Sequence, residues 1–282
     1  MSEQQAAPPA AAGRDSRNLL MRVAAALVLA PLAITIAYAG GWWWALLVTL
    51  AAIGLFVEWL MVTCAERNVA VIVSGIVALV LATPFLAVDR IEAALVVLGL
   101  GLIAVAVRAS PPRIWVIAGY LYAAAAQLAS VAVRLDQTQG FSALILVLLV
   151  VWATDSGGYF AGRGIGGPKL WPRVSPKKTW AGAIGGFVAS LAVATGFAAL
   201  GLGKALPLLI LAAALSIAAQ FGDLFESAVK RRFGVKDSSH IIPGHGGVMD
   251  RLDGFVAAIV LAAIFGCLRG GVDGVGRALM VW

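Results

Sequence analysis

Apolar residues arrive in this chain as separate runs of about 20, each bounded by a few polar or charged residues. A run of that length, wound as a helix, matches a hydrocarbon core of about 30 Å. Such runs fall near residues 19–39, 41–63, 69–88, 91–108, 113–133, 141–162, 181–200, 204–229 and 254–270. The expected fold is therefore all-α, a polytopic integral membrane protein with about nine transmembrane helices. Composition agrees: 61% of the 282 residues are hydrophobic and 12% charged, about half the charge of a soluble domain. The fifth run is the least apolar, diluted by Gln127 and Ser130, and only Asp89 and Arg90 part the third from the fourth. Residues 1–18 are polar and Ala/Pro-rich, and are expected to be a disordered cytoplasmic N-terminus. The run after them exceeds a signal-peptide core and lacks an A-x-A cleavage site, so it reads as a retained first span.

The placement of basic residues sets the orientation. With the N-terminus in the cytoplasm and nine spans, 16 of the 21 Lys and Arg fall inside and 5 outside. Removing or adding a central span would carry one of two large basic loops outside. The C-terminus then lies on the opposite side, and an inner (plasma) membrane is the expected location. The net charge of +7 resides in loops between spans, where it meets lipid headgroups or phosphates, so no nucleic acid is implied. Cys64 and Cys267 are too far apart in sequence for a CxxC site and read as buried, inert thiols. Trp42, Trp43 and Trp44 read as an interfacial aromatic belt. Glu58 is an intramembrane acid, for which a buried partner or a contact in a homodimer is expected.

Polar chemistry concentrates in two loops, both cytoplasmic under this topology. Residues 1–140 therefore read as N-terminus and transmembrane scaffold, and 141–282 as the half that carries the chemistry. The loop over 222–254 holds the acids Asp223, Glu226, Asp237, Asp250 and Asp253 and the bases Lys230, Arg231, Arg232, Lys236 and Arg251. Asp223, Glu226 and Lys230 share a helical face at i, i+3 and i+7. Asp250 and Asp253, at i, i+3, can converge on a hard cation such as Mg²⁺, which takes carboxylates together with substrate phosphates. The turn 244–247, Gly-His-Gly-Gly, can bring backbone N–H groups of Gly246 and Gly247 close to phosphate oxygens. In the other loop, Asp155 closes a span and SPKKT, residues 175–179, precedes the next. Ser175 fits an N-cap and Pro176 a first helical turn, which would set Lys177 and Lys178 at a phosphate-binding helix N-terminus. The Gly-rich stretch 162–169 matches neither a P-loop nor a dinucleotide fingerprint.

The segment Ser227 to Asp253 contains S-x-x-K-R-x4-K-D followed by P-x-H-G-G-x-x-D-R-x-D. It resembles the signature of the phosphatidate cytidylyltransferases, or CDP-diacylglycerol synthases. GDLFES, the stretch from Asp155 to Tyr159, and SPKKT are similar to further motifs of that family. One departure is Ala181, where the family usually has an acid after SPKKT-x. Asp155 or Glu226 could stand in for that acid.

The resemblance implies that CTP and phosphatidic acid in the bilayer give CDP-diacylglycerol and pyrophosphate. It implies Mg²⁺, with room for a second cation, held by Asp223, Asp250 and Asp253, with Asp250 leading. Lys177, Lys178, Lys230, Arg231, Lys236 and Arg251 would meet phosphates, with Ser175, Gly246 and Gly247 beside them. Asp237 and His245 would shape the loop near the nucleotide, and Asp155 and Glu226 are secondary candidates. Two rivals share features of the sequence. A prenyl-lipid cytidylyltransferase or kinase would use the same phosphate chemistry. A transporter would also carry charge within its spans, but near the midplane and on inverted repeats, neither of which is visible here.

Overall fold

The computed structural model describes residues 30–65, 68–239 and 246–282. Within them eight helices are long and apolar enough to cross a membrane. They are α2 (Gly41–Val62), α3 (Val69–Ala87), α4 (Ile91–Arg108), α5 (Arg113–Leu135), α6 (Gly140–Gly164), α7 (Trp180–Ala199), α8 (Ala205–Arg232) and α9 (Met249–Gly270). A ninth apolar helix, α1 (Ala30–Ala39), precedes them. It covers the second half of the first expected span, whose residues 19–29 lie outside the described residues, as does the expected N-terminal tail. The chain is thus a polytopic all-α membrane protein, with eight of the expected spans traced in full. A two-stranded hairpin, β1 (Lys169–Trp171) with β2 (Ser175–Thr179), interrupts the helices. A short C-terminal helix, α10 (Val275–Met280), follows a 3₁₀ turn and folds back against the bundle. The pattern of apolar runs does not register it.

Membrane helices cannot gain much from hiding apolar surface from apolar lipid, so they associate where small residues let backbones approach. The α6–α7 contact is built this way. A Cβ on Gly186 would strike the carbonyl of Thr154, one on Gly182 the carbonyl of Gly158, and one on Gly185 the side chain of Ala161. The α8–α9 contact repeats the device. A Cβ on Gly222 would run into the backbone of Asp253 and the side chain of Ala257, while Gly254 lies over Ala219. Thr154 Oγ1 donates to Ser216 Oγ at 2.8 Å, tying α6 to α8.

In the N-terminal half the glue is a buried polar knot. Gln127, the residue that diluted the fifth run, is fully buried on α5. Its Nε2 donates to Thr49 Oγ1 on α2 at 2.8 Å and to the Leu79 carbonyl on α3 at 3.0 Å, and Thr49 meets Thr83 at 2.8 Å. Trp44 departs from the aromatic belt. Trp42 and Trp43 are exposed, but Trp44 is buried and donates Nε1 to the Ser130 carbonyl at 3.0 Å. A bundle interior offers an indole N–H a carbonyl that lipid cannot. The thiols also differ from expectation: Cys64 is exposed and Cys267 half-buried, since Cys64 sits in the turn after α2 rather than inside it.

Candidate active site

The glycine contacts that pack the helices also place the acids. Gly222 precedes Asp223 on α8 and Gly254 follows Asp253 on α9, so the close crossing sets these two carboxylates side by side. The α6–α7 contact does the same for Asp155, near the end of α6, and for the hairpin that leads into α7. The hairpin replaces the expected helix start at Ser175. Lys169 pairs with Thr179 and Trp171 with Ser175, and the N-cap is Thr179, whose Oγ1 accepts from Gly182 N at 3.1 Å. In a strand, successive side chains diverge. Lys178 therefore reaches across to pair with Asp223, while Lys177 stays exposed. Asp155 and Asp253 both lie within electrostatic reach of Asp223, and Lys178 acts on both. Three carboxylates thus share one lysine.

A second cluster stands one turn further along α8. Lys230 Nζ donates to Glu226 Oε1 at 2.8 Å and to Asp250 Oδ1 at 2.5 Å. The other oxygen of Asp250 accepts from Ser238 N at 3.1 Å, Ser238 Oγ at 3.0 Å and Gly247 N at 3.0 Å. Helix α9 begins five residues earlier than the apolar pattern indicates, so Asp250 and Asp253 lie in its first two turns rather than in a loop. Gly246 has φ +77° and would bring any Cβ to 2.9 Å from Asp250 Oδ2, which only glycine tolerates at low cost. Glu226 is buried, and its Oε2 has no hydrogen-bond partner.

Residues 20–268 match the Cytidylyltransferase family. A phosphatidate cytidylyltransferase of Brucella suis is 40% identical over 258 residues, 89% of this chain and 94% of the relative. Proteins of the same name from Bacillus subtilis and Haemophilus influenzae are 47% and 44% identical over 128 and 136 residues, a little under half of each chain. The chain belongs to the cytidylyltransferase family.

The cytidylyltransferase signature is thus folded so that its two acidic clusters and the SPKKT lysines gather at one end of the bundle. Of the other expected residues, Arg231 donates to the Val235 carbonyl at 3.1 Å and so closes the C-terminus of α8. Lys236, Asp237 and Arg251 are exposed, and Ser175 is half-buried on β2. His245 lies outside the described residues. Ala181 is the second residue of α7, and Asp155 lies within electrostatic reach of Lys178. The residue whose importance was least legible is Glu58. It finds its buried partner in the signature segment of its own chain, where it accepts four hydrogen bonds.

The donor set suits a hard cation. It consists of carboxylate oxygens in excess over lysines, including the orphaned Glu226 Oε2. Among the described residues, no three His, Cys, Asp or Glu side chains meet at metal-holding distance.

Proposed function

We infer that this chain transfers the cytidylyl group of CTP to phosphatidate, giving CDP-diacylglycerol and pyrophosphate for phospholipid synthesis. The observation that carries the reading is that Lys178 pairs with Asp223, and Lys230 with Glu226 and Asp250, while Asp155 and Asp253 lie within electrostatic reach of Asp223, all on segments that resemble the family signature. The phosphate of phosphatidate is the nucleophile, and its second pKa of about 6 leaves it largely ionised near neutrality. No strong general base is needed. The phosphate oxygen attacks the α-phosphorus of CTP, the α–β bridge bond breaks, and pyrophosphate leaves. The barrier is the approach of one anion to another, so the work falls to charge placement.

Mg²⁺ would be held by Asp223 and Asp253, with Asp155 beside them and Asp250 joining once Lys230 turns to a phosphate. When bound, the ion supplies charge neutralisation for the triphosphate. Lys178 is paired with Asp223, and Lys230 with Glu226 and Asp250. The roles of these two lysines are to bind phosphates, with Lys177, Arg231, Lys236 and Arg251 forming a basic rim. An apolar cavity of about 390 Å³ lies between α7 and α8 beside the hairpin, lined by Trp171, Trp180, Ile184, Phe187, Ile217 and Phe221. It supports lateral entry of an acyl chain, with the headgroup delivered next to Lys178.

The orientation that fits these roles has the N-terminus and both acidic clusters facing the cytoplasm, in the inner membrane, with the C-terminus opposite. The activity test is purified protein with labelled CTP and phosphatidate, with Mg²⁺ or with chelator. Label entering the lipid phase as CDP-diacylglycerol, together with released pyrophosphate, is the expected result. Transfer only to an isoprenoid phosphate offered in parallel, or none to either lipid, would refute the substrate assignment.

A further inference from the structure

A buried acid of the N-terminal half reaches the signature segment. Glu58 lies in the last two turns of α2 and is fully buried. Its carboxylate accepts from Ser238 Oγ, Ser239 Oγ, Val248 N and Met249 N, each at 2.8 Å. The last two are backbone donors at the start of α9. The first N–H groups of a helix have no partner within it and are normally met by the N-cap side chain. Here the N-cap is Val248, which has no such side chain to offer. Glu58 meets them instead from a different helix, about 190 residues away in sequence, and adds a negative charge where the helix dipole favours one. Gly247 leaves the necessary room, since a Cβ there would collide with Glu58 and Ser238. Ser238 links the two carboxylates. Its hydroxyl lies 2.8 Å from Glu58 Oε2 and 3.0 Å from Asp250 Oδ2, and its N–H donates to Asp250.

We propose that Glu58 is a positioning residue for the transfer reaction: it fixes the first turn of α9, and through it the carboxylates of Asp250 and Asp253. The inference rests on the transfer reading above. Both oxygens of Glu58 are needed as acceptors, and a glutamine in its place offers one acceptor and one N–H₂ group facing donors. A buried carboxylate with only a structural role would stabilise the bundle without touching turnover. A carboxylate that positions Asp250 and Asp253 controls kcat.

The test compares wild type, Glu58→Gln and Glu58→Asp in two measurements on monodisperse protein. The first is hydrogen exchange of the backbone spanning 246–252. Exchange at Val248 and Met249 should rise about tenfold or more in Glu58→Gln, the change expected when a charge-assisted acceptor is lost. The second is initial rates. kcat per folded molecule should fall about 30-fold in Glu58→Gln, within the range for a lost hydrogen bond to a charged group. The KM for phosphatidate should stay near wild type, and Glu58→Asp should recover part of kcat. If Glu58→Gln does not fold, Glu58→Asp decides, because its shortened side chain should still speed exchange at Val248 and Met249 and lower kcat. Unchanged exchange, or wild-type kcat in the folded variants, would overturn the proposal. A wild-type protein without transferase activity would contradict the transfer reading alone, and the exchange measurement would still decide whether Glu58 holds α9.

Discussion

Two acidic clusters stand at the same end of the bundle, and they are bonded in opposite ways. Around Asp250 and Glu58 every carboxylate oxygen has a donor, from Lys230, Ser238, Ser239, Gly247 and the first amides of α9, although Glu226 Oε2 beside them has none. Around Asp155, Asp223 and Asp253 there is, among the described residues, one lysine for three carboxylates and few hydrogen bonds: a long contact from Ser227 to Asp223 at 3.4 Å and the Gly254 amide to Asp253 at 2.7 Å. Burying like charges without partners costs stability. A satisfied cluster holds backbone in place, and an unsatisfied one awaits charge from outside. The division of labour proposed here follows from that contrast.

The sharpest way to break the contrast is to neutralise one acid in each cluster. Asp253→Asn should lower turnover by at least about 100-fold while raising thermal stability without substrate, because it relieves repulsion from Asp223 and Asp155. Asp250→Asn should also abolish turnover, but with a lower melting temperature, because Lys230 loses its 2.5 Å partner. Thermal unfolding monitored beside activity separates the two, and equal stability changes would erase the distinction. Next in size, Lys178→Ala should raise KM for a phosphate-bearing substrate by about 10- to 100-fold, the range for one charge-assisted phosphate bond. Normal kinetics in that variant would leave Lys178 as a partner of Asp223 and nothing more.

A smaller effect tests the scaffold that supports both clusters. Gly186→Ala puts a methyl against the Thr154 carbonyl and should destabilise the bundle by about 1–3 kcal/mol. An unchanged melting temperature would mean that α6 and α7 can part without cost. The smallest is Gln127→Leu. It removes hydrogen bonds worth about 0.6 kcal/mol each within a membrane and should leave kcat untouched. A large fall in kcat there would extend the chemistry well beyond the two clusters. Orientation has its own check. In a background lacking Cys64 and Cys267, Ser175→Cys should resist an impermeant thiol reagent in intact cells and Leu202→Cys, between α7 and α8, should react. The reverse pattern would invert the topology.

Much of this was legible along the chain because its physics is local. Span length, basic loops and the i, i+3 spacing of Asp250 and Asp253 are properties of neighbouring residues. Ser175 and Pro176 misled because a Ser-Pro pair suits both a helix start and an edge strand. The pairing of Lys169 with Thr179 decided between them, and that pairing depends on a turn the apolar pattern does not register. The start of α9 is not visible in the apolar pattern because its first amides are met by Glu58, far away in sequence. Along the chain Trp44 resembles an interface residue and Gln127 a dilution of its span, because their partners, Ser130 and Thr49, sit on other helices. These last three turn on long-range hydrogen bonds, the kind of contact that no local pattern encodes.

The central claim is that the under-neutralised carboxylates of Asp155, Asp223 and Asp253 receive the divalent cation that brings CTP and phosphatidate together. The most direct measurement is the rate of CDP-diacylglycerol formation as Mg²⁺ is titrated into chelator-treated wild type and Asp223→Asn. The account predicts no turnover in chelator, full recovery in wild type with Mg²⁺, and in Asp223→Asn either no recovery or recovery only at far higher Mg²⁺. Chelator-resistant turnover in wild type, or an Asp223→Asn variant with a normal Mg²⁺ dependence, would contradict it.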